Sequence, residues 1–215
     1  MASANNSPFT SADERRVQRE AKRQALLLAA VRMFNERGFH ATSLDDVAAS
    51  LGVTKPVVYH YLGNKDQVLF ECVRIGLSRL GDAAERARQQ PGSGLDRLKI
   101  FLRDYAEANM ADFSRCVIRT SEEALSADSA AQFRALKGEI DAAMRVMIEE
   151  AMADGSAEVK DVWLTAFTFA GALNWPARWY REGGGRPAAR IAEDMVELLV
   201  AGITPGHDGG PRRAA

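Results

Sequence analysis

The chain has 215 residues, 47% of them apolar, enough for one ordinary domain or a small domain joined to a larger one. Its 28 Lys and Arg almost balance 29 Asp and Glu, so the formal net charge of −1 does not by itself mark a nucleic-acid partner. No uninterrupted run of about 18 apolar residues predicts a membrane span, and the polar start MASANNSPFTSADERR does not read as a secretory leader. Cys72 and Cys116 stand far apart and form no CxxC unit. Neither a disulfide framework nor a zinc site is expected, and a reducing, cytoplasmic setting is.

Charge is unevenly spread. Up to Lys65 there are nine Lys and Arg against six Asp and Glu, a net +3 that leaves −4 on the remainder. A basic first part on an acidic body suits DNA contact confined to one end. Residues 1–13 read as a disordered tail. The spacing of Leu26, Ala30, Met33 and Phe34 predicts a helix over 15–37, and Gly38 stands where a helix stops. Two short helices follow, and a longer one starts near Asn64 and runs to the breaker Gln89-Gln90-Pro91-Gly92-Ser93-Gly94. Further helices are predicted over 95–112, 130–153, 159–180 and 190–203, with a less regular stretch over 113–128. Residues 205–215 read as a second disordered tail. No strand pattern and no repeat is found, so the class is all-α: a DNA-binding domain over 14–63 and a larger helical domain over 64–204.

The block Thr42–Lys65 carries the chemistry. Thr42 and Ser43 are candidate N-caps ahead of Asp45 and Asp46, acids that suit a helix N-terminus. Leu44, Val47, Ala48 and Leu51 form the inward face of the first short helix, Gly52 makes the turn, and Val53 fills the angle. Thr54 caps the second helix and Pro56 sits at an early position, where a missing N–H costs nothing. Val58, Tyr61 and Leu62 face inward, which leaves Lys55, Val57, Tyr59 and His60 outward. Two short helices about a glycine turn form a helix-turn-helix whose second helix enters the major groove. There a Lys can reach guanine or phosphate, a Tyr hydroxyl phosphate, and a Val a thymine methyl.

At these residues the chain resembles the TetR family of regulators. The matching elements are Ala29-Ala30-Val31-Arg32-Met33-Phe34-Asn35-Glu36-Arg37-Gly38-Phe39, Thr42-Ser43, Val47-Ala48, Gly52-Val53, Val58-Tyr59-His60-Tyr61-Leu62 and Asn64-Lys65. Gly63 departs from the charged or polar residue common there. The resemblance implies a homodimer, each subunit with three DNA-binding helices and a helical ligand domain. It also implies operator contacts at Thr42, Ser43, Thr54, Lys55, Pro56, Val57, Tyr59, His60 and Lys65.

The second part is rich in aromatic residues and Met, which suit either a core or the wall of an apolar pocket. Phe101, Tyr105, Phe113, Met144, Met147, Phe167, Trp175 and Arg178 are the candidate ligand contacts. The segment Asn174-Trp175…Trp179-Tyr180 resembles TetR-type regulators of fatty-acid and steroid breakdown, which respond to acyl-CoA thioesters. Arg178 or Arg181 would then meet the phosphates of coenzyme A. The helices 159–180 and 190–203 carry more apolar surface than one subunit covers, so they are expected to form the dimer contact.

The expected function is a ligand-released homodimeric repressor that binds double-stranded operator DNA and senses a small hydrophobic metabolite, with no cofactor, metal or membrane partner. The three histidines, His40, His60 and His207, form no catalytic cluster, and no P-loop, GxGxxG or HExxH occurs, so no catalytic residue is assigned. Two other readings stay open: an activator of the same fold, and a helical interaction module whose helix-turn-helix does not bind DNA.

Overall fold

The computed structural model describes residues 11–120 and 122–206, so both chain ends expected to be tails lie largely outside the described residues. No strand occurs among the described residues, and the fold is all-α. The chain divides into two compact units, Met1–Val68 and Leu69–Ala215.

In the first unit α1 spans Ala12–Arg37, two residues inside the stretch read as tail, because Ser11 and Glu14 close a capping box. The Ser11 hydroxyl accepts the Glu14 N–H at 3.1 Å, and the Glu14 carboxylate accepts the Ser11 N–H at 2.7 Å. Helix α1 ends at Gly38, where φ of +92° turns the chain. Helix α2 (Leu44–Ser50) and α3 (Lys55–Leu62) then pack against α1 and each other. Leu27, Ala30, Val31, Phe34, Leu44, Val47, Ala48, Val58 and Leu62 make the buried core. Helix α4 (Lys65–Arg88) begins in this unit and continues into the second. Asn64 and Gln67 exchange hydrogen bonds of 2.9 Å at its start, which satisfies two N–H groups that the helix leaves unpaired.

The second unit is built around α5 (Gly94–Met110). It is packed by α6 (Asp112–Arg119), α7 (Ala127–Ala153), α8 (Val162–Asn174), α9 (Pro176–Trp179) and α10 (Ala188–Val200). Leu98, Phe101 and Leu102 of α5 are fully buried, with Met144, Met147 and Ile148 of α7, Leu173 of α8 and Val196 of α10 in the same core. The stretch 113–128, read as irregular, holds α6 and a 3-10 turn at Glu122–Ala124. Where α7 ends, the Asp154 carboxylate accepts the N–H of Gly94 and the Ser156 hydroxyl accepts that of Leu95 at 2.9 Å, so one loop caps α5. The approach is close: a Cβ on Gly94 would sit 2.5 Å from the Ala151 Cα.

The helix expected over 159–180 is two. Pro176 cannot donate to the Ala172 carbonyl, which instead accepts from the Trp175 N–H at 3.2 Å, and the chain tightens there. Helix α8 therefore stops at Asn174 and the single turn α9 follows. The last helix runs over 188–200 rather than 190–203.

Two predictions follow from these caps. Gly94→Ala should destabilise the protein by roughly 1–3 kcal/mol, because the obstacle is backbone rather than a movable side chain; urea unfolding measures it. Asp46, Asp96 and Asp154 are held below the usual carboxylate range, mainly by hydrogen bonds from Ser43, Ser93 and Ser156 respectively. A lowered folded-state value means the stabilisation is complete above the unfolded value of about 4 and fades as pH falls through the folded values. Asp96→Asn and Asp154→Asn should thus melt below wild type at pH 6, with the gap closing as pH falls through the lowered folded-state values.

Candidate functional site

The elbow between α2 and α3 is made by Gly52, whose φ of +64° a residue with a Cβ resists. The Val53 N–H donates to the Ala48 carbonyl at 3.1 Å across it. Leu51 and Val53, expected inside, are exposed, because α2 has only seven residues and its buried stripe is complete with Leu44, Val47 and Ala48. On α3, Val58 and Leu62 are buried, which turns Thr54, Lys55, Pro56, Val57, Tyr59 and His60 outward on one exposed surface. Tyr61 is half-buried and meets the His60 ring edge-on at 5.2 Å.

The candidate contact residues divide by what they do inside the unit. Thr42 is 2% exposed, and its hydroxyl donates to the Gly38 carbonyl at 3.0 Å. It ties the end of α1 to the start of α2 and does not present its hydroxyl to solvent. Ser43, not Thr42, is the N-cap of α2. Its hydroxyl accepts the Asp46 N–H at 3.1 Å and donates to the Asp46 carboxylate at 2.6 Å. Thr54 caps α3 by position alone, with no side-chain cap bond, so its hydroxyl stays open to solvent. Lys55 is exposed but held by Asp45 at 2.6 Å, and that hydrogen bond raises its pKa above the usual lysine value. The Lys65 ammonium lies 4.3 Å from the Phe39 ring centroid and 5.9 Å from that of Phe34, and partial desolvation lowers its pKa.

The second unit contains a cavity of about 300 Å³. Leu77, Leu80, Val117, Ile118 and Phe133 form apolar wall, and Tyr105, Asn109, Ser114 and Asn174 a polar one. The Asn174 Oδ1 accepts the Tyr105 O–H at 3.0 Å and the Asn109 Nδ2–H at 2.7 Å. Burial pushes the Tyr105 phenol above its ordinary pKa, so it keeps its proton and donates.

Residues 26–72 match the family model described as bacterial regulatory proteins of the tetR family, and residues 91–203 match the tetracyclin repressor-like C-terminal domain. The chain belongs to the TetR family. The transcriptional repressor KstR2 of Rhodococcus jostii RHA1 is 28% identical over 197 residues, covering 88% of this chain and 95% of that one. The solved structure of the ketosteroid transcriptional regulator KstR2 of Mycobacterium tuberculosis superimposes with a TM-score of 0.78 at 22% identity, over 85% of this chain and 95% of that one. AibR, solved in complex with isovaleryl coenzyme A and operator DNA, gives a TM-score of 0.72 at 24% identity, over 83% and 97%. The chain is a DNA-binding transcriptional regulator, with the helix-turn-helix that TetR proteins carry.

In this TetR protein the eight candidate ligand contacts do not gather. Tyr105 lines the cavity. Phe101, Met144 and Met147 are spent in the core, and Phe113 is buried with the Arg79 guanidinium 5.5 Å from its ring. Phe167, Trp175 and Arg178 are exposed. Asn109, Ser114 and Asn174 were not among the candidates. Asn109 had a readable signal, since it lies four residues after Tyr105 on the apolar face of α5. Asn174 had none until its partners across the fold were known.

The division between bracing and open residues is testable. Thr42→Val should cost about 1 kcal/mol of stability, since the Gly38 carbonyl loses its donor, and leave the salt dependence of DNA binding unchanged. Lys55→Met should leave the melting temperature near wild type and reduce the slope of log affinity against log salt by about 1. A Thr42→Val protein that keeps its melting temperature but binds the operator about tenfold more weakly would assign Thr42 to the DNA instead.

Proposed function

We propose that this regulator is a homodimeric repressor, released from its operator when a small hydrophobic effector enters the cavity of the second unit. The observation that carries the DNA half is the exposed face of α3: its outward residues take no part in the buried core, while Val58 and Leu62 hold the helix in place. Thr54, Lys55, Pro56, Val57, Tyr59 and His60 meet the major groove. Ser43 and Lys65 reach flanking phosphate, each after exchanging an internal contact for one with DNA. Thr42 is left to brace the elbow.

The second copy docks on α8 and α10. Helix α8, VWLTAFTFAGALN, contains no charged residue, yet Trp163, Leu164 and Phe167 on it are about half exposed. Leu198 on α10 is 77% exposed. Burying such side chains contributes roughly 1.5–3 kcal/mol apiece, more than a monomer in water recovers. Two heads then read half-sites one or more helical turns apart.

For the effector, an acyl-CoA thioester fits best, with the acyl chain against Leu77, Leu80, Val117, Ile118 and Phe133. The coenzyme stays at the surface, where Arg178 and Arg181 are exposed. The resemblance of Asn174-Trp175…Trp179-Tyr180 to acyl-CoA-responsive regulators supports this, as does the isovaleryl coenzyme A bound to the structural neighbour AibR.

Gel shifts with DNA from upstream of the protein's own reading frame test the DNA half: affinity should fall steeply with salt as phosphate contacts release counterions. Binding absent at low salt would favour a helical interaction module. Adding a panel of acyl-CoAs of increasing chain length to the complex should release the DNA with at least one of them; release by none removes the thioester. Trp163→Glu combined with Leu198→Glu should halve the mass in sedimentation equilibrium.

A further inference from the structure

Ser114 of α6 is 5% exposed, lines the cavity, and its Oγ has no hydrogen-bond partner. It faces Gly76 of α4, where a Cβ would come within 3.0 Å of that Oγ, so a missing side chain keeps the space beside the hydroxyl open. A buried hydroxyl left without a partner is costly, and such a group in a cavity wall points to a ligand that supplies one.

Asn174 points the same way. An amide oxygen has two lone pairs, and Tyr105 and Asn109 occupy both. Its orientation is thereby fixed, and its Nδ2 makes no hydrogen bond among the described residues. The Lys137 ammonium stands in the same wall, whereas the Glu122 carboxylate is taken up by Arg134. The open groups are therefore mainly donors: the Asn174 amide, the Ser114 hydroxyl and the Lys137 ammonium, against the Asn109 Oδ1.

We propose that the cavity selects an apolar molecule bearing an acceptor oxygen, a carbonyl or carboxylate, which the Asn174 Nδ2 and the Ser114 hydroxyl hold. This rests on the cavity being the effector site and adds the chemical group that is read there. A thioester carbonyl belongs to this class, and so does a ketone or a free acid. Asn174 is also the last residue of α8, the helix that carries Trp163, Leu164 and Phe167, so an oxygen bound there engages the end of that helix.

Four probes with nine-carbon chains separate the possibilities: 2-nonanone, 2-nonanol, nonanoate and 1-nonene, titrated calorimetrically into the full-length protein. Wild type should bind 2-nonanone about tenfold more tightly than 1-nonene, the size of one well-placed hydrogen bond. Asn174→Asp keeps the shape and the bonds from Tyr105 and Asn109 but turns the donor into an acceptor. It should weaken 2-nonanone about tenfold and hold 2-nonanol, which can donate, within about threefold. Ser114→Ala adds no charge and should cut the ketone-to-alkene preference to about threefold, an independent reading should Asn174→Asp fold poorly. Lys137→Met distinguishes the oxygen's source: a loss confined to nonanoate assigns a carboxylate, and nonanoate binding more weakly than 2-nonanone to wild type assigns a neutral carbonyl. Saturable binding with a ketone-to-alkene ratio near one, or a ketone-to-alcohol ratio unchanged by Asn174→Asp, overturns this inference and leaves the effector site standing. No binding by any of the four overturns the effector site as well.

Discussion

The burial of α5 is the constraint on which the second unit depends. A helix that places Leu95, Leu98, Phe101, Leu102, Tyr105, Ala106, Asn109 and Met110 inside needs cover on most of its circumference, and five other helices supply it. Each fully buried Leu or Phe contributes about 1.5–3 kcal/mol, so the unit holds together through this one helix. Its two ends meet different demands. The N-terminal end is closed by the Asp154 and Ser156 loop, so tightly that only glycine fits at position 94. The C-terminal end brings two polar side chains, Tyr105 and Asn109, into the interior, and buried polar groups require partners. Asn174 provides them. The helix that builds the core thus also builds the polar wall of the cavity, and the cavity cannot be reshaped there without disturbing α5.

The first unit solves a different problem. With one long helix, two short ones and a small core it has little apolar surface to bury, and local devices do much of the holding: the capping boxes at Ser11 and Ser43, the Thr42 hydroxyl on the Gly38 carbonyl, and Lys65 over the Phe34 and Phe39 rings. Because these bonds lie on α1, α2 and the approach to α4, the outer face of α3 is not required for folding. Its residues are free to change with the sequence to be read.

How much was legible followed the range of the interactions. The helix-turn-helix was readable because each of its devices is local: Gly52 at positive φ, Pro56 in the first turn of α3, Ser43 three residues before Asp46. Local pattern misassigned Thr42, since a threonine ahead of a helix looks like a cap, and only the folded chain brings its hydroxyl to Gly38. Apolar periodicity carried a helix through Pro176 because Trp175, Trp179 and Tyr180 continue the pattern, although proline breaks the hydrogen-bond ladder at that point. The wall of the cavity was hardest. Tyr105 and Asn174 are 69 positions apart, and no spacing rule joins them. Met144, Met147 and Phe101 have the composition of a pocket but are used in packing, and composition cannot separate those two uses.

The charge pattern of the first unit bears on how tightly such a regulator holds DNA. The net +3 up to Lys65 is small, and its two lysines nearest α3 are already engaged, Lys55 by Asp45 and Lys65 by aromatic rings. A head that exchanges internal contacts for phosphate contacts gains less from each than one whose cations stand free, so under the proposed dimer the affinity would come from two heads bound together. The same weakness would ease the proposed release. An effector that disfavours the DNA-competent state tenfold in each subunit lowers the affinity of the pair about a hundredfold, because the two differences multiply. Such a differential is within reach of one hydrogen-bonded oxygen per cavity.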